Sequence, residues 1–240
     1  MKAMGFCPVH SFRLTAKRYR FPLPESRMQD LILLGWGVHG AEMAHIVERI
    51  NRVKPTWNLL GHLAPKPPEP GANFHGHPFL GTIADLDKFP GACLVADNEY
   101  PKAIPLPEDR LISLIDPSCY IHPTAQIGRG CVLYPNCFVG LNAKIGNRAF
   151  VLTNCTINHD DVLEDNVVLA SGVTLAGVVV VEAGCYLGQS CSVREFRRIG
   201  RGSLIGMGAV IVRNVEPDSI MIGNPARLLR KRSQKKPAAT

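Results

Sequence analysis

His159 stands between Asn158 and the pair Asp160–Asp161. An imidazole titrates near neutral pH, so it can take a proton from an amine or hydroxyl as that group attacks an activated acyl carbon. A neighbouring carboxylate orients the ring and stabilises its charged form. The same segment, alone, also fits a solvated histidine at a chain corner. A second group of residues, Gly35-x-Gly37-x-x-Gly40, follows the apolar run Leu31–Leu34 and precedes a stretch with helical spacing. Strand, tight glycine turn and helix start together suit a phosphate, or simply close strand–helix packing. A dinucleotide would call for an acid about 20 residues further on, and Leu59 to Pro65 contains none.

The elements that must position these groups are written in the repeat. From Ile115 to Ile211 every sixth residue is Ile, Leu or Val. Neither a helix at 3.6 residues nor a flat strand at 2 gives a period of six. A coil that turns a corner every six residues does, and it stacks the aliphatic positions into one continuous core. Glycines follow the aliphatic position at 128, 140, 146, 188, 200 and 206, where tight turning or positive φ is expected.

Six of the eight cysteines (119, 131, 137, 155, 185 and 191) fall four residues after an aliphatic position, in a phase otherwise occupied by small or β-branched residues. They are expected to face the coil interior as reduced thiols, which points to a cytoplasmic protein. Asp161 and Arg197 interrupt that phase. The net charge of +7 is concentrated at the ends: residues 1–28 carry +5 and residues 227–240 carry +6, leaving the body at −4. An acidic body argues against nucleic-acid binding, and no apolar run reaches the length of a membrane span.

The chain divides into a leader or mis-set start (1–27), an α/β domain (28–110), the coils (111–216), and a C-terminal segment with a basic tail (217–240). In the α/β domain Leu31–Leu34, Leu59–Leu60 and Cys93–Val95 read as strands. Ala41–Ile50 reads as a helix stopped before Pro55, and Asp85–Asp87 lies in a short helix. That alternation predicts a small Rossmann-like parallel sheet. Trimming to Met28 is expected to preserve activity.

Residues 30–226 resemble the hexapeptide-repeat acyltransferases, and within them the sugar-nucleotide O-/N-acetyltransferase branch that includes the bacillosamine-pathway enzymes. The resemblance implies a left-handed, triangular parallel β-helix with three six-residue sides per coil, so that Gly177 lies one 18-residue coil after His159, about 4.8 Å along the stack, where its N–H can face the same groove; spacing alone does not give handedness. It also implies that His159 is the general base, that Asp160 polarises it, and that the Gly177 N–H stabilises the oxyanion. Acetyl-CoA is expected at Gly188, Gln189, Gly206, Met207 and Pro225. A nucleotide-linked amino sugar is expected at Gly35, Gly37, His39 and Gly40. Homotrimers with sites between subunits follow from the same resemblance, with no metal ion. Around the base, Leu152 and Val168 replace an Asn and a His common in the family, and Ala64–Pro65 replaces an acidic pair. The function implied is N-acetylation from acetyl-CoA in polysaccharide biosynthesis. The alternatives are O-acetylation of a sugar and a non-catalytic β-helix scaffold.

Overall fold

A computed structural model describes residues 28–66, 76–100 and 104–232. The leader, the end of the basic tail, Pro101 and most of the Pro65–Gly76 loop lie outside the described residues. The first elements are β1 (Gln29–Leu34), α1 (Gly37–Val53), β2 (Trp57–Ala64), β3 (Phe79–Thr82) and β4 (Cys93–Ala96). They form one parallel sheet of order β3-β2-β1-β4. Leu31 to Leu34 are fully buried, as a central parallel strand requires. The expected strands and helix are present, and α1 extends beyond the periodic stretch at both ends. Asp85 lies in a 3-10 turn, Ile83–Lys88, whose start Thr82 and Asp85 cap reciprocally. Strand β3, in a glycine-containing stretch without alternation, carries no sequence signal.

From Leu114 the described chain winds left-handed through three parallel sheets. Face I begins Leu114–Ile115 and Val132–Leu133, face II begins Tyr120–Ile121 and Phe138–Val139, and face III begins Gln126–Ile127 and Lys144–Ile145. Each strand is a dipeptide that pairs with its counterpart one full coil on, Lys144–Ile145 with Val162–Leu163 for example. Face I is extended by Ser219–Ile222 and by the antiparallel strand Arg227–Lys231. The period-six aliphatics and the interior cysteines fill one core running the length of the coils. Each fully buried Leu, Ile or Val contributes roughly 1.5–3 kcal/mol. Four of the thiols are satisfied: Cys131, Cys137, Cys155 and Cys185 each donate to a carbonyl 15 residues on, at 3.0–3.2 Å.

The corners differ from expectation in one respect. Positive φ recurs every sixth residue from Gly130 to Gly208, mostly at Asn, Asp or Gly. The glycines that directly follow the aliphatic position are not in this set. They are small because the next coil passes over them: a Cβ on Gly140 would lie 2.9 Å from the Asn158 carbonyl carbon.

The α/β domain packs on face I. Leu114, Val132, Tyr134, Phe150 and Val168 share a buried cluster with Leu31, Met43, Ile46 and Val47. Arg49 on α1 adds a two-pronged hydrogen bond to the buried Asp116 carboxylate, at 2.6 and 3.0 Å.

Candidate active site

His159 and Asp160 occupy the corner between faces II and III. His159 Nδ1 lies 3.0 Å from Asp160 Oδ2, and both side chains are about half exposed. An ionised carboxylate only accepts, so Nδ1 carries the proton and Nε2 keeps its lone pair. The hydrogen bond from His159, then that from Asn142, holds Asp160 below the usual carboxylate range. The Asp160 N–H is anchored to the Leu141 carbonyl one coil before, at 2.8 Å.

Gly177 lies directly beneath the ring. A Cβ built there would be 2.8 Å from His159 Nε2, and the glycine φ of +105° is one that other residues rarely adopt. Among the described residues nothing accepts from the Gly177 N–H, while its carbonyl accepts from Phe196. The next residue, Val178, has φ +53°. A β-branched side chain in the left-handed region costs on the order of 1–3 kcal/mol. Its N–H is held by the His159 carbonyl at 3.0 Å.

Asp161 resolves the interruption of the interior phase. It is fully buried, with Oδ2 accepting from the Asn158 N–H at 2.7 Å and Oδ1 from the Val179 N–H at 2.8 Å. Burial pushes its carboxyl up to about 6. The residues that carry this arrangement, Asn158, Val178 and Val179, have no sequence signal beyond their neighbourhood to His159.

The glycine turn lies at the carboxyl ends of β1 and β4, where the strand order reverses. Gly35 has φ +133°, and a Cβ there would collide with the Asp97 carboxylate. Asp97 is 7% exposed, and burial raises its carboxyl to about 6. His62 reaches the Gly35 carbonyl through Nδ1 at 3.1 Å. Sequence reasoning misses both Asp97 and His62, because each is distant along the chain from the turn it meets. Gly40 packs against His62, and Gly37 has open space around it. His39 sits edge-on to Phe150 at 5.4 Å, with Nδ1 3.4 Å from the Tyr134 hydroxyl. It therefore lies in the seam between the two parts of the chain.

Gly188 and Gln189 stack on Gly206 and Met207 at the corner between faces I and II, with Gln189 and Met207 exposed. Pro225 follows a cis peptide bond after Asn224. The adjoining Gly223 carbonyl accepts from Val210. One chain thus brings His159, Asp160 and Gly177 together and leaves the other groups elsewhere. The glycine turn belongs to the domain on face I, opposite the His159 corner. The 188/206 column is separated from that corner by the width of face II. Leu152 and Val168 are not around the base of their own chain: they pack into the apolar cluster on face I. Among the described residues, no cluster of three or more His, Cys, Asp or Glu is placed to hold a metal, and no helix is long and apolar enough to cross a membrane.

A family model for the GMPPB C-terminal domain matches residues 115–223. The acyl-[acyl-carrier-protein]–UDP-N-acetylglucosamine O-acyltransferase of Gloeothece citriformis is 36% identical over 72 residues, 30% of this chain and 26% of that protein. The serine acetyltransferase of Salmonella typhimurium is 29% identical over 126 residues, 49% of this chain and 40% of that protein. The chain thus spans between about a quarter and two fifths of these curated relatives. Among solved structures, the acetyltransferase domain of PglB from Neisseria gonorrhoeae aligns over 84% of this chain and 100% of that one, at 22% identity and a TM-score of 0.71. A mutant GDP-perosamine N-acetyl transferase from Caulobacter crescentus, in complex with CoA and GDP-perosamine, aligns over 85% and 99%, at 21% identity and 0.71. With its unbroken six-residue repeat and three-sided coil, the chain shares the left-handed β-helix fold of these solved structures.

Proposed function

We propose that the protein transfers an acetyl group from acetyl-CoA to the amino group of a nucleotide-linked amino sugar. The observation that carries this reading is that Gly177 lies against the His159 ring one coil on, a Cβ built there falling 2.8 Å from Nε2, while among the described residues nothing accepts from its N–H. In the reaction, the substrate amine attacks the thioester carbonyl carbon and Nε2 takes its proton. The Gly177 N–H donates to the oxygen as it becomes negative. Collapse of the tetrahedral intermediate breaks the C–S bond, and the imidazolium returns the proton to the CoA sulfur, leaving an amide and free CoA. Asp160 holds the ring in the required tautomer and stabilises its charge.

The glycine turn at the strand-order reversal would take the nucleotide diphosphate, with Gly35, Gly37, His39 and Gly40 around it. The column of Gly188, Gln189, Gly206, Met207 and Pro225, exposed at Gln189, Met207 and Pro225, would take the pantetheine arm. Support for both ligand classes comes from the Caulobacter enzyme, whose structure holds CoA and GDP-perosamine. The separation of the three groups over the coil supports a homotrimer in which a neighbouring subunit completes each site. Reduced, buried thiols support a cytoplasmic setting.

The test is CoA thiol release in a panel of UDP-, dTDP- and GDP-linked sugars, amino and neutral. Release confined to amino sugars supports the proposal. Release with neutral sugars makes the protein an O-acetyltransferase, and none with any acceptor leaves a binding scaffold.

A further inference from the structure

The corner carrying His159 is built differently from its equivalents. In four other coils the N–H at the first corner position donates to the aliphatic carbonyl of the coil above: His122 to Val139, Gly140 to Ile157, Ala176 to Val193 and Arg194 to Ile211, at 2.8–3.0 Å. Asn158 does not follow them. Its N–H turns inward to Asp161 Oδ2, and its side-chain amide takes the Leu175 carbonyl at 2.6 Å instead. The other Asp161 oxygen reaches across to Val179 N–H in the next coil. At the equivalent interior positions stand Ala125, Ala143, Val179, Arg197 and Val215, none of which has a carboxylate to accept from two coils at once. Between the two anchored N–H groups lie His159 on one coil and the Gly177–Val178 turn on the other.

We propose that Asp161 is a positioning residue, a buried carboxylate that sets the gap between the His159 imidazole and the Gly177 amide by binding one N–H on each of their two corners. The inference rests on the acyl-transfer reading of that gap. Two facts make the clamp specific to the site. It replaces a backbone ladder bond only where the histidine sits. It also fixes the far side of Val178, a β-branched residue held at φ +53°, whose relaxation would move the Gly177 N–H.

Replacing Asp161 by Ala restores the residue found at 125 and 143 and lets Asn158 N–H close onto Leu175 as in the other coils. A displacement of about 1 Å at a reacting centre costs on the order of 10²-fold. The D161A variant is therefore expected to lose on the order of 10- to 10²-fold in kcat, with KM for acetyl-CoA changed by less than ~3-fold. Deuterium exchange in the segment around Val179 should speed up in parallel. D161N, which keeps the side-chain volume but can accept from only one of the two N–H groups, should show the same split and serves if D161A fails to fold. A kcat within ~2-fold of the unmodified protein overturns the positioning role. So does a kcat loss matched by an equal rise in KM and a lost β-sheet circular dichroism signal, which marks a purely structural residue. Absence of thiol release by the unmodified protein with every acceptor removes the acyl-transfer reading, and the role of Asp161 with it.

Discussion

His159 and Gly177, one coil apart, meet face to face: a Cβ on Gly177 would lie 2.8 Å from His159 Nε2. No other residue type fits beneath the ring at φ +105° without moving one of them. Gly177→Ala should therefore fold, since the strain is confined to one corner. Its kcat should fall by on the order of 10²-fold, with KM for acetyl-CoA little altered. Steady-state thiol release checks this, and an undiminished kcat would mean that the two groups do not share a reacting centre.

Asp160→Asn replaces an acceptor-only group with one that can present N–H to Nδ1, favouring the wrong tautomer. Because the pair is half exposed, the loss should be milder than for a buried dyad, about 10- to 10²-fold in kcat. Equal rates for the variant and the unmodified protein would leave His159 without need of its partner.

At Asp116 burial opposes ionisation, but the hydrogen bonds from Arg49 and Ser118 outweigh it and hold the carboxyl below its usual range. The carboxylate is fully buried, so Arg49→Ala leaves it short of two donors and should destabilise the protein by about 1–3 kcal/mol. The folded pKa is depressed, so this contribution is present above the unfolded pKa near 4 and lost as pH falls through the folded value. Urea unfolding should show a smaller difference between Arg49→Ala and the unmodified protein at pH 3 than at pH 7.

Asp161 has the opposite sign. Its carboxyl lies at about 6 in the folded protein, above the unfolded value near 3.9. The folded state therefore holds the extra proton between those values. The contribution is full below pH ~4 and is lost as pH rises through 6, on the order of 3 kcal/mol in all. His159 and Asp160 are the titratable groups that face it, the first favouring its ionisation when protonated and the second opposing it. The stability of the unmodified protein relative to Asp161→Asn should fall between pH 4 and pH 8; parallel curves would contradict the raised value.

The period of six makes the coils legible because every side of the helix buries the same phase, so one residue in six reports directly on the core. The His159–Gly177 pairing is legible once the resemblance supplies three sides per coil: 18 residues then make one turn, and stacking follows from counting. The glycine turn can be read because strand, turn and helix are contiguous in the chain. Asp97 and His62 cannot be, because they reach Gly35 from β4 and β2 through strand order, which spacing does not encode. The corner glycines suggest backbone freedom in the sequence, whereas their requirement is clearance from the next coil, a contact only the stack creates. Resemblance places Leu152 and Val168 near the base, yet in one chain they face α1 and the sheet. The sequence pattern describes a coil, and its faces acquire different neighbours only once the α/β domain packs on one of them.

That His159 is the base for acetyl transfer is tested most directly by His159→Ala in the amino-sugar nucleotide panel, with thermal unfolding run alongside. His159 is exposed and makes no core contact, so the unfolding midpoint should be unchanged while kcat falls by ~10²–10⁴-fold. An undiminished kcat in the folded variant would contradict the assignment of the base and the reaction built on it.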